Sequence, residues 1–190
     1  MKRGAAPPHE VRIIGGLWRR SKLPVAADVP GLRPTPDRVR ETLFNWLGQD
    51  LTGWRCLDAF AGSGALGFEA ASRGAAEVVL LERDRALARS LGASRERLHA
   101  GNLRVEQADA LAWLARRAPD SFELVFIDPP FDSDLAAPAL AAAARVLVPG
   151  GYAYLEAGTA ADAEQLTALG WQVQRQGRAG QVHFVLLQRA

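Results

Sequence analysis

Residues 124–131 read Leu-Val-Phe-Ile-Asp-Pro-Pro-Phe, which is four apolar residues followed by an acid, two prolines and an aromatic. The apolar run predicts a buried strand. The prolines predict a stiff turn after it, because each ring fixes φ and removes an N–H donor. Asp128 then stands at the carboxyl end of a central strand, where open α/β sheets place their ligands.

The chemistry of this turn suits a planar base that carries an amino group. The Asp128 carboxylate and the carbonyls of Asp128 and Pro129 can accept the amino hydrogens, and Phe131 can stack on the base. The alternative is a plain turn whose Asp128 caps a helix beginning near Asp132.

A glycine-rich motif follows the apolar run of residues 55–60. Gly62, Gly64 and Gly67 fit Gly-x-Gly-x-x-Gly at the start of a helix, and Glu82 lies 20 residues after Gly62 at the end of the next predicted strand, 78–81. This pattern is typical of dinucleotide sites and of any nucleoside cofactor whose ribose is held by a carboxylate. Asp58 would repel a pyrophosphate but could meet a cationic amino acid group. The loop therefore favours S-adenosylmethionine, with a nicotinamide cofactor as the rival.

The remaining chain alternates as an α/β protein does. Helices are predicted at about 85–99, 110–117 and 135–147, and strands at 103–107, 122–127, 152–156, 171–175 and 182–187, the last two joined by a turn containing Gly177. This order predicts a Rossmann-like α/β fold whose seven-stranded, mostly parallel sheet ends in an antiparallel hairpin. Asp109 can accept a bond from an adenine amino group or cap a helix. Glu156 and Gln181 can face the site or only the rim of the sheet.

Composition narrows the class of protein. With 190 residues, 48% of them hydrophobic, the chain can build one full core. One cysteine and three scattered histidines give no metal-ligand spacing, so we expect neither disulfide nor structural zinc. No apolar run is long enough for a membrane span and no signal sequence is visible, which predicts a cytoplasmic protein.

The charge of the chain is concentrated at its N-terminal end. Residues 1–40 contain nine Lys or Arg and three Asp or Glu, whereas the rest contains 14 and 18. We expect a flexible tail at 1–9, a basic β-hairpin and helix at 10–50 that contacts RNA, and a catalytic domain at 51–190.

The hairpin is predicted from Val11–Gly16 and the returning residues 23–25. Its tip, residues 18–22, combines a tryptophan with three cations, a mixture that binds nucleic acid; the alternative is a surface turn whose Trp18 packs back on the body. In the following helix, Thr35 or Asp37 is the expected cap. Three arginines are expected to face solvent or phosphates: Arg33, which precedes the helix, and Arg38 and Arg40 within it.

Asp58-Ala-Phe-Ala-Gly-Ser-Gly-Ala-Leu-Gly67, Glu82 and Asp128-Pro-Pro-Phe131 resemble the motifs of class I methyltransferases that act on exocyclic amines. More specifically, residues 12–19, 31–47 and 179–182 are similar to the bacterial 16S ribosomal RNA guanine-N2 methyltransferases of the RsmD type. The resemblance covers about residues 11–189. Two positions depart from the family pattern: Pro36 replaces a frequent Thr, and Arg20 a frequent Gly. Asp-Pro-Pro-Phe is shared with adenine-N6 and cytosine-N4 enzymes, so the base is implied by the whole-chain resemblance.

The resemblance implies transfer of a methyl group from S-adenosylmethionine to guanine N2 in 16S rRNA, within an assembling 30S subunit and without metal or obligate protein partner. The implied catalytic residues are Asp128, Pro129, Pro130 and Phe131. The implied cofactor residues are Asp58, Phe60, Gly62, Gly64, Glu82 and Asp109. The implied RNA-binding residues are Arg12, Trp18, Arg19, Arg20, Lys22, Arg33 and Arg38. A nicotinamide oxidoreductase and a non-catalytic RNA-binding protein remain the alternatives.

Overall fold

The computed structural model describes residues 10–26, 29 and 32–190. The predicted tail at 1–9 lies outside these residues. The elements in chain order are β1 Glu10–Arg12, β2 Lys22–Pro24, α1 Asp37–Trp46, β3 Arg55–Asp58, α2 Ala65–Ser72, β4 Glu77–Glu82, α3 Arg85–Arg97, β5 Leu103–Gln107, α4 Ala110–Ala115, β6 Phe122–Ile127, α5 Ala136–Val146, β7 Leu147–Ala157, α6 Ala163–Ala168, β8 Trp171–Ala179 and β9 Val182–Arg189.

Seven strands form one sheet in the order β5-β4-β3-β6-β7-β9-β8, and β1 pairs with β2 as a separate hairpin. The neighbours from β5 to β7 are parallel, whereas β9 runs antiparallel to both β7 and β8. This confirms the predicted Rossmann-like α/β class. The carboxyl ends of β4, β3, β6 and β7 therefore meet along one edge of the sheet, which is where such folds bind ligands.

Alternating residues of the central strands divide the core between the two faces of the sheet. Cys56, Leu124 and Phe126 join a cluster with α1, α2 and the N-terminal hairpin. Leu57 and Val125 join the opposite cluster with α4 and α5. By this alternation, Asp58, Asp128 and Glu156 belong to the face that the N-terminal segment covers.

The structure corrects the predicted hairpin turn. Gly177 lies inside β8 opposite Phe184, and the turn falls at Gly180, which has a φ of 61°. A Cβ on Gly177 would stand 2.5 Å from the Phe184 ring, so this glycine makes room for an aromatic neighbour on the adjacent strand. The short helix α6 was not predicted.

The predicted helix starts also need correction. Pro36 is the N-cap residue of α1, and no side chain accepts a hydrogen bond from the first turn of this helix. Thr35 and Asp37 are therefore not caps. Helix α5 begins at Ala136 after Leu135, so Asp128 does not cap it. Arg40 has no exposed surface, because it turns inward from α1, and it is therefore not a surface cation. Across the described residues, no helix combines the length and apolarity needed to cross a membrane.

Candidate active site

The loop between β3 and α2 is shaped by its glycines. Gly62 and Gly64 have φ values of 55° and 81°, which residues with a Cβ rarely adopt. A Cβ on Gly67 would stand 2.0 Å from Leu80 Cδ2, so only glycine lets α2 pack this closely on β4. The N–H of Gly67 donates to Asp58 Oδ2 at 3.0 Å, which fixes the carboxylate beneath the loop.

Asp58 is 2% exposed, and its Oδ1 is buried without a hydrogen-bond partner among the described residues. Burial, followed by the charges of Glu82 and Glu156, raises the pKa of Asp58 to about 7. A buried carboxylate oxygen without a donor is costly. The site therefore fits a ligand that brings an ammonium group, and it does not fit a pyrophosphate.

Glu82 holds the other side of the glycine loop. Its Oε2 accepts from the N–H of Gly62 at 3.0 Å and its Oε1 from the N–H of Asp84 at 2.8 Å. Each oxygen keeps a lone pair that could accept a ribose hydroxyl. This arrangement suits a nucleoside ligand above the loop.

The other two predicted cofactor residues lie on the opposite face of the sheet. Asp109 is the N-cap of α4, since its Oδ1 accepts from the N–H of Ala112 at 2.9 Å. Phe60 is half-buried against the cluster of α4 and α5. Neither position tests a contact with the cofactor, which stays a prediction for both.

The turn after β6 presents acceptors and an aromatic ring. The Pro130 carbonyl accepts from the N–H and the hydroxyl of Ser133 at 3.0 and 2.6 Å, whereas no described residue donates to the Pro129 carbonyl. Asp128 is partly buried and Phe131 is 50% exposed. A planar ligand with an amino group could meet the carboxylate, the Pro129 carbonyl and the ring at this turn.

Glu156 joins the site from the neighbouring strand. Ile127 of β6 pairs with Leu155 of β7, so Asp128 and Glu156 are the next residues on adjacent strands. The Oε1 of Glu156 accepts from the Thr35 hydroxyl at 2.7 Å and from the Tyr154 hydroxyl at 2.9 Å. Strand alternation from Tyr154 was the sequence signal that could have placed Glu156. Nothing local indicated Thr35.

Burial raises the pKa of all three carboxylates of this face, and neighbouring carboxylates add to the shift for Asp58 and Asp128. Burial, followed by the charges of Glu156 and Asp58, raises the pKa of Asp128 well above its ordinary value. Burial also raises the pKa of Glu156, although the hydroxyls of Thr35 and Tyr154 and the charge of Arg40 act against it. The site is therefore rich in acceptors and complementary to a ligand that brings several donors.

The predicted RNA-binding residues are distributed over the N-terminal segment. Six of them are exposed: Arg12, Arg19, Arg20, Lys22, Arg33 and Arg38. Two have acidic neighbours, with Arg12 at 3.5 Å from Asp37 and Lys22 at 2.8 Å from Glu10. Arg20 has a left-handed φ of 72°, which explains why a glycine is also suited to this position.

Trp18 packs back on the body of the protein. Its ring meets that of Phe68 edge-on at 6.5 Å, and its backbone N–H donates to Ser72 Oγ at 2.9 Å. This packing favours the alternative of a surface turn for Trp18. RNA contact by the seven predicted residues stays a prediction.

Two clefts lie apart from these motifs. One of about 810 Å³ runs between the hairpin turn, α1 and the end of α2 and includes Arg19. Another of about 320 Å³ lies beside Phe184 near the ends of β7 and β9. Within the described part of the chain, no group of His, Cys, Asp and Glu side chains could hold a metal ion.

The sheet order, the glycine loop after β3 and the acidic turn after β6 define a class I methyltransferase fold. The fold is shared with TYW2 of M. jannaschii, solved in complex with AdoMet, at a TM-score of 0.62 and 13% identity over 88% of this chain and 80% of that one. At this identity the likeness concerns the fold alone.

The chain belongs to the family described as Conserved hypothetical protein 95, whose profile matches residues 11–188. It is 45% identical to ribosomal RNA small subunit methyltransferase D of Escherichia coli K12 over 95% of this chain and 90% of that protein. It is 41% identical to the protein of the same name from Haemophilus influenzae over 94% of both chains. The solved structure of yhhF from Escherichia coli superposes with a TM-score of 0.80 at 44% identity, covering 95% of this chain and 98% of that one.

Proposed function

We propose that this protein transfers a methyl group from S-adenosylmethionine to the N2 amine of a guanine in 16S ribosomal RNA, giving N2-methylguanosine and S-adenosylhomocysteine. The observation that carries the proposal is the pairing of two features on one sheet edge. One is the buried Asp58 oxygen that lacks a donor. The other is the Asp128 turn, whose Pro129 carbonyl no described residue uses. The names of the Escherichia coli and Haemophilus influenzae relatives support ribosomal RNA of the small subunit as substrate.

Four residues around the glycine loop would hold the cofactor. The orphaned Oδ1 of Asp58 is placed for its ammonium group, and the glycine loop between Gly62 and Gly64 leaves room above β3. Glu82 presents oxygens for the ribose hydroxyls. When bound, the cofactor supplies an electrophilic methyl group on a sulfonium.

The residues after β6 would make the amine nucleophilic. The N2 lone pair of guanine is delocalised into the ring. Donation of the two N2 hydrogens to Asp128 and to the Pro129 carbonyl would draw the nitrogen towards sp³ geometry, and Phe131 would hold the plane of the base. The amine held in this way would accept the methyl group of the cofactor, whose sulfur would keep the electron pair of the broken carbon–sulfur bond. One N2 proton then passes to Asp128 or water, so placement and electrostatics supply the rate.

The basic N-terminal segment would hold the RNA. Stacking on Phe131 requires the guanine to leave its helix, so the substrate is an unpaired or flipped nucleotide. The exposed arginines 19, 20, 33 and 38 lie on the segment that covers the same sheet face as the site. Phosphate contacts by these residues would position an RNA that the Asp128 turn then modifies, in the context of an assembling 30S subunit and without a further protein partner.

The test is transfer of labelled methyl from S-adenosylmethionine to 30S subunits from cells that lack the endogenous enzyme, followed by nucleoside analysis. We expect N2-methylguanosine from the wild type. Asp128→Ala should lower turnover by a factor on the order of 10³ while RNA affinity changes little, because the carboxylate acts on the amine and not on the phosphates. Asp134→Ala, an exposed acid shortly after the same turn, is the matched control and should keep full activity.

Other results of this experiment would indicate a different base, a different role or a different mechanism. N6-methyladenosine would keep the chemistry and replace the base. No transfer to any nucleic acid, with RNA binding retained, would indicate a binding role. Full activity of Asp128→Ala would contradict the mechanism.

A further inference from the structure

The site holds two neighbouring carboxylates, and among the described residues no buried cation is free to neutralise them. Asp128 and Glu156 follow paired residues on adjacent strands. The nearest buried cation, Arg40, is already engaged: its guanidinium donates to the carbonyls of Arg12 and Thr35 and to the carboxylates of Asp37 and Glu69. The pair of acids therefore needs hydrogen-bond donors from a ligand.

The two oxygens of Glu156 have different surroundings. Oε1 accepts from both the Thr35 and the Tyr154 hydroxyls. No described residue donates to Oε2. This oxygen is not fully buried, so a ligand can reach it. Glu156 is 3% exposed, so its side chain is held in one orientation with a single oxygen available.

The three bases with exocyclic amines differ beside that amine. In guanine, the ring nitrogen N1 beside the 2-amine carries a hydrogen, so these two neighbouring nitrogens both present donors. In adenine and cytosine, the ring nitrogen next to the amine on the Watson–Crick edge is an acceptor. Two carboxylates side by side match the first edge and repel the lone pair of the second.

We propose that Glu156 is a specificity-determining residue, whose Oε2 accepts the N1 hydrogen of guanine while Asp128 accepts a hydrogen of the N2 amine. This inference rests on the proposed function and adds to it the residue that distinguishes guanine from the other amino bases. Thr35 and Tyr154 are positioning residues, because they fix which oxygen of Glu156 faces the base.

The Glu156→Gln variant tests this arrangement directly. The amide oxygen keeps the two hydroxyl donors at the Oε1 position, because the amide nitrogen would present hydrogens to them. The NH₂ group then occupies the place of Oε2, where it opposes the N1 hydrogen of guanine. The substitution therefore changes an acceptor to a donor with almost no change in shape.

The substrate pair is a 16S rRNA fragment, or a reconstituted 30S subunit, that carries either guanosine or 2-aminopurine riboside at the methylated position. 2-Aminopurine keeps the 2-amine but has an acceptor at N1. We expect the wild type to prefer guanosine in kcat/KM by a factor on the order of 10². Glu156→Gln should erase or reverse this preference. 2-Aminopurine also lacks O6, but this loss affects the wild type and the variant alike. The difference between their guanosine preferences therefore reports on the N1 contact.

Two further variants separate specificity from a structural role. Glu156→Asp keeps an acceptor and should keep the preference for guanosine at a lower rate. Thr35→Val removes one of the two donors to Oε1 and should weaken the preference for guanosine without abolishing it, because Glu156 is then less firmly oriented.

The outcomes are distinguishable from those of the proposed function. Two results would overturn the inference while the proposed function stands, provided that the wild type makes N2-methylguanosine. One is that Glu156→Gln retains the preference for guanosine. The other is that the wild type methylates guanosine and 2-aminopurine equally well. If the wild type makes no N2-methylguanosine, both fail. Should Glu156→Gln not fold, the wild-type preference and that of Glu156→Asp still decide.

Discussion

At the scale of single residues, the carboxylate of Asp58 is almost completely removed from water. One of its oxygens has a backbone donor and the other has none among the described residues. The folded protein therefore holds the acid in its neutral form over a pH range in which an exposed acid is ionised. A cationic ligand would remove this penalty.

This titration predicts how stability depends on pH. The pKa of Asp58 is about 7 in the folded protein against a reference of 3.8, so between these values the folded state keeps a proton that the unfolded chain has lost. The contribution of Asp58 to the free energy of unfolding is therefore largest below pH 4, falls as pH rises and has gone above pH 7. Its size is at most about 4 kcal/mol.

The measurement is urea denaturation of the ligand-free protein at several pH values from 4 to 8, compared with Asp58→Asn. Asp128 and Glu156 have raised pKa values too and contribute with the same sign, so only the difference between the two proteins reports on Asp58. We expect the variant to gain on the wild type as pH rises. A constant difference across the range would show that Asp58 does not titrate there.

At the scale of elements, the N-terminal hairpin is attached to α2 through Glu69. This carboxylate is fully buried and accepts from the N–H groups of Ile14 and Gly15 at 3.0 and 2.8 Å. It also accepts from the guanidinium groups of Arg40 at 3.1 Å and Arg73 at 3.0 Å. A single side chain thus joins the hairpin, α1 and α2.

We predict that Glu69→Ala destabilises the protein by about 3–5 kcal/mol, because it leaves the buried Arg40 with fewer partners and two N–H groups without an acceptor. Hydrogen exchange should accelerate at the amides of residues 14–18 before it does in β6. The control is Glu96→Ala, whose partner is Arg95 and whose side chain is 75% exposed; it should change stability by less than about 1 kcal/mol. Unchanged protection of residues 14–18 in Glu69→Ala would contradict this role.

At the scale of the whole molecule, positive charge is divided between the two faces of the sheet. The hairpin and α1 pack on one face and carry the exposed Arg19 and Arg20. Helix α4 packs on the other and ends at the exposed Arg116. If RNA binds over the site, only the first group should release counterions on binding.

We predict that the double variant Arg19→Ala, Arg20→Gly lowers the slope of log affinity against log salt by about 1–2. Glycine at position 20 removes the charge at a left-handed φ without adding strain. Arg116→Ala with Arg175→Ala removes the same charge from α4 and from β8 at the edge of the sheet, and should leave the slope unchanged. Equal slopes in the three proteins would exclude the hairpin from the RNA interface.

The sequence by itself determined the architecture and its ligand edge. The strands at 103–107 and 122–127 were predicted to the residue. Apolar and polar residues alternate at the start of the first, and the apolar run of the second ends at an acid and two prolines. The glycine spacing after β3 located the loop, and the acid and prolines after β6 located the second motif. These features are local, so pattern and backbone chemistry suffice to find them.

Only the tertiary structure decided which polar groups meet. Thr35 and Glu156 are 121 residues apart in sequence and 2.7 Å apart in the fold. Arg40 matches a solvent-facing cation by its surroundings in sequence, yet it is buried against Glu69. Such pairs depend on how the N-terminal segment lies across the sheet. Burial makes them costly to leave unpaired, and no local pattern records a partner that folding alone brings near.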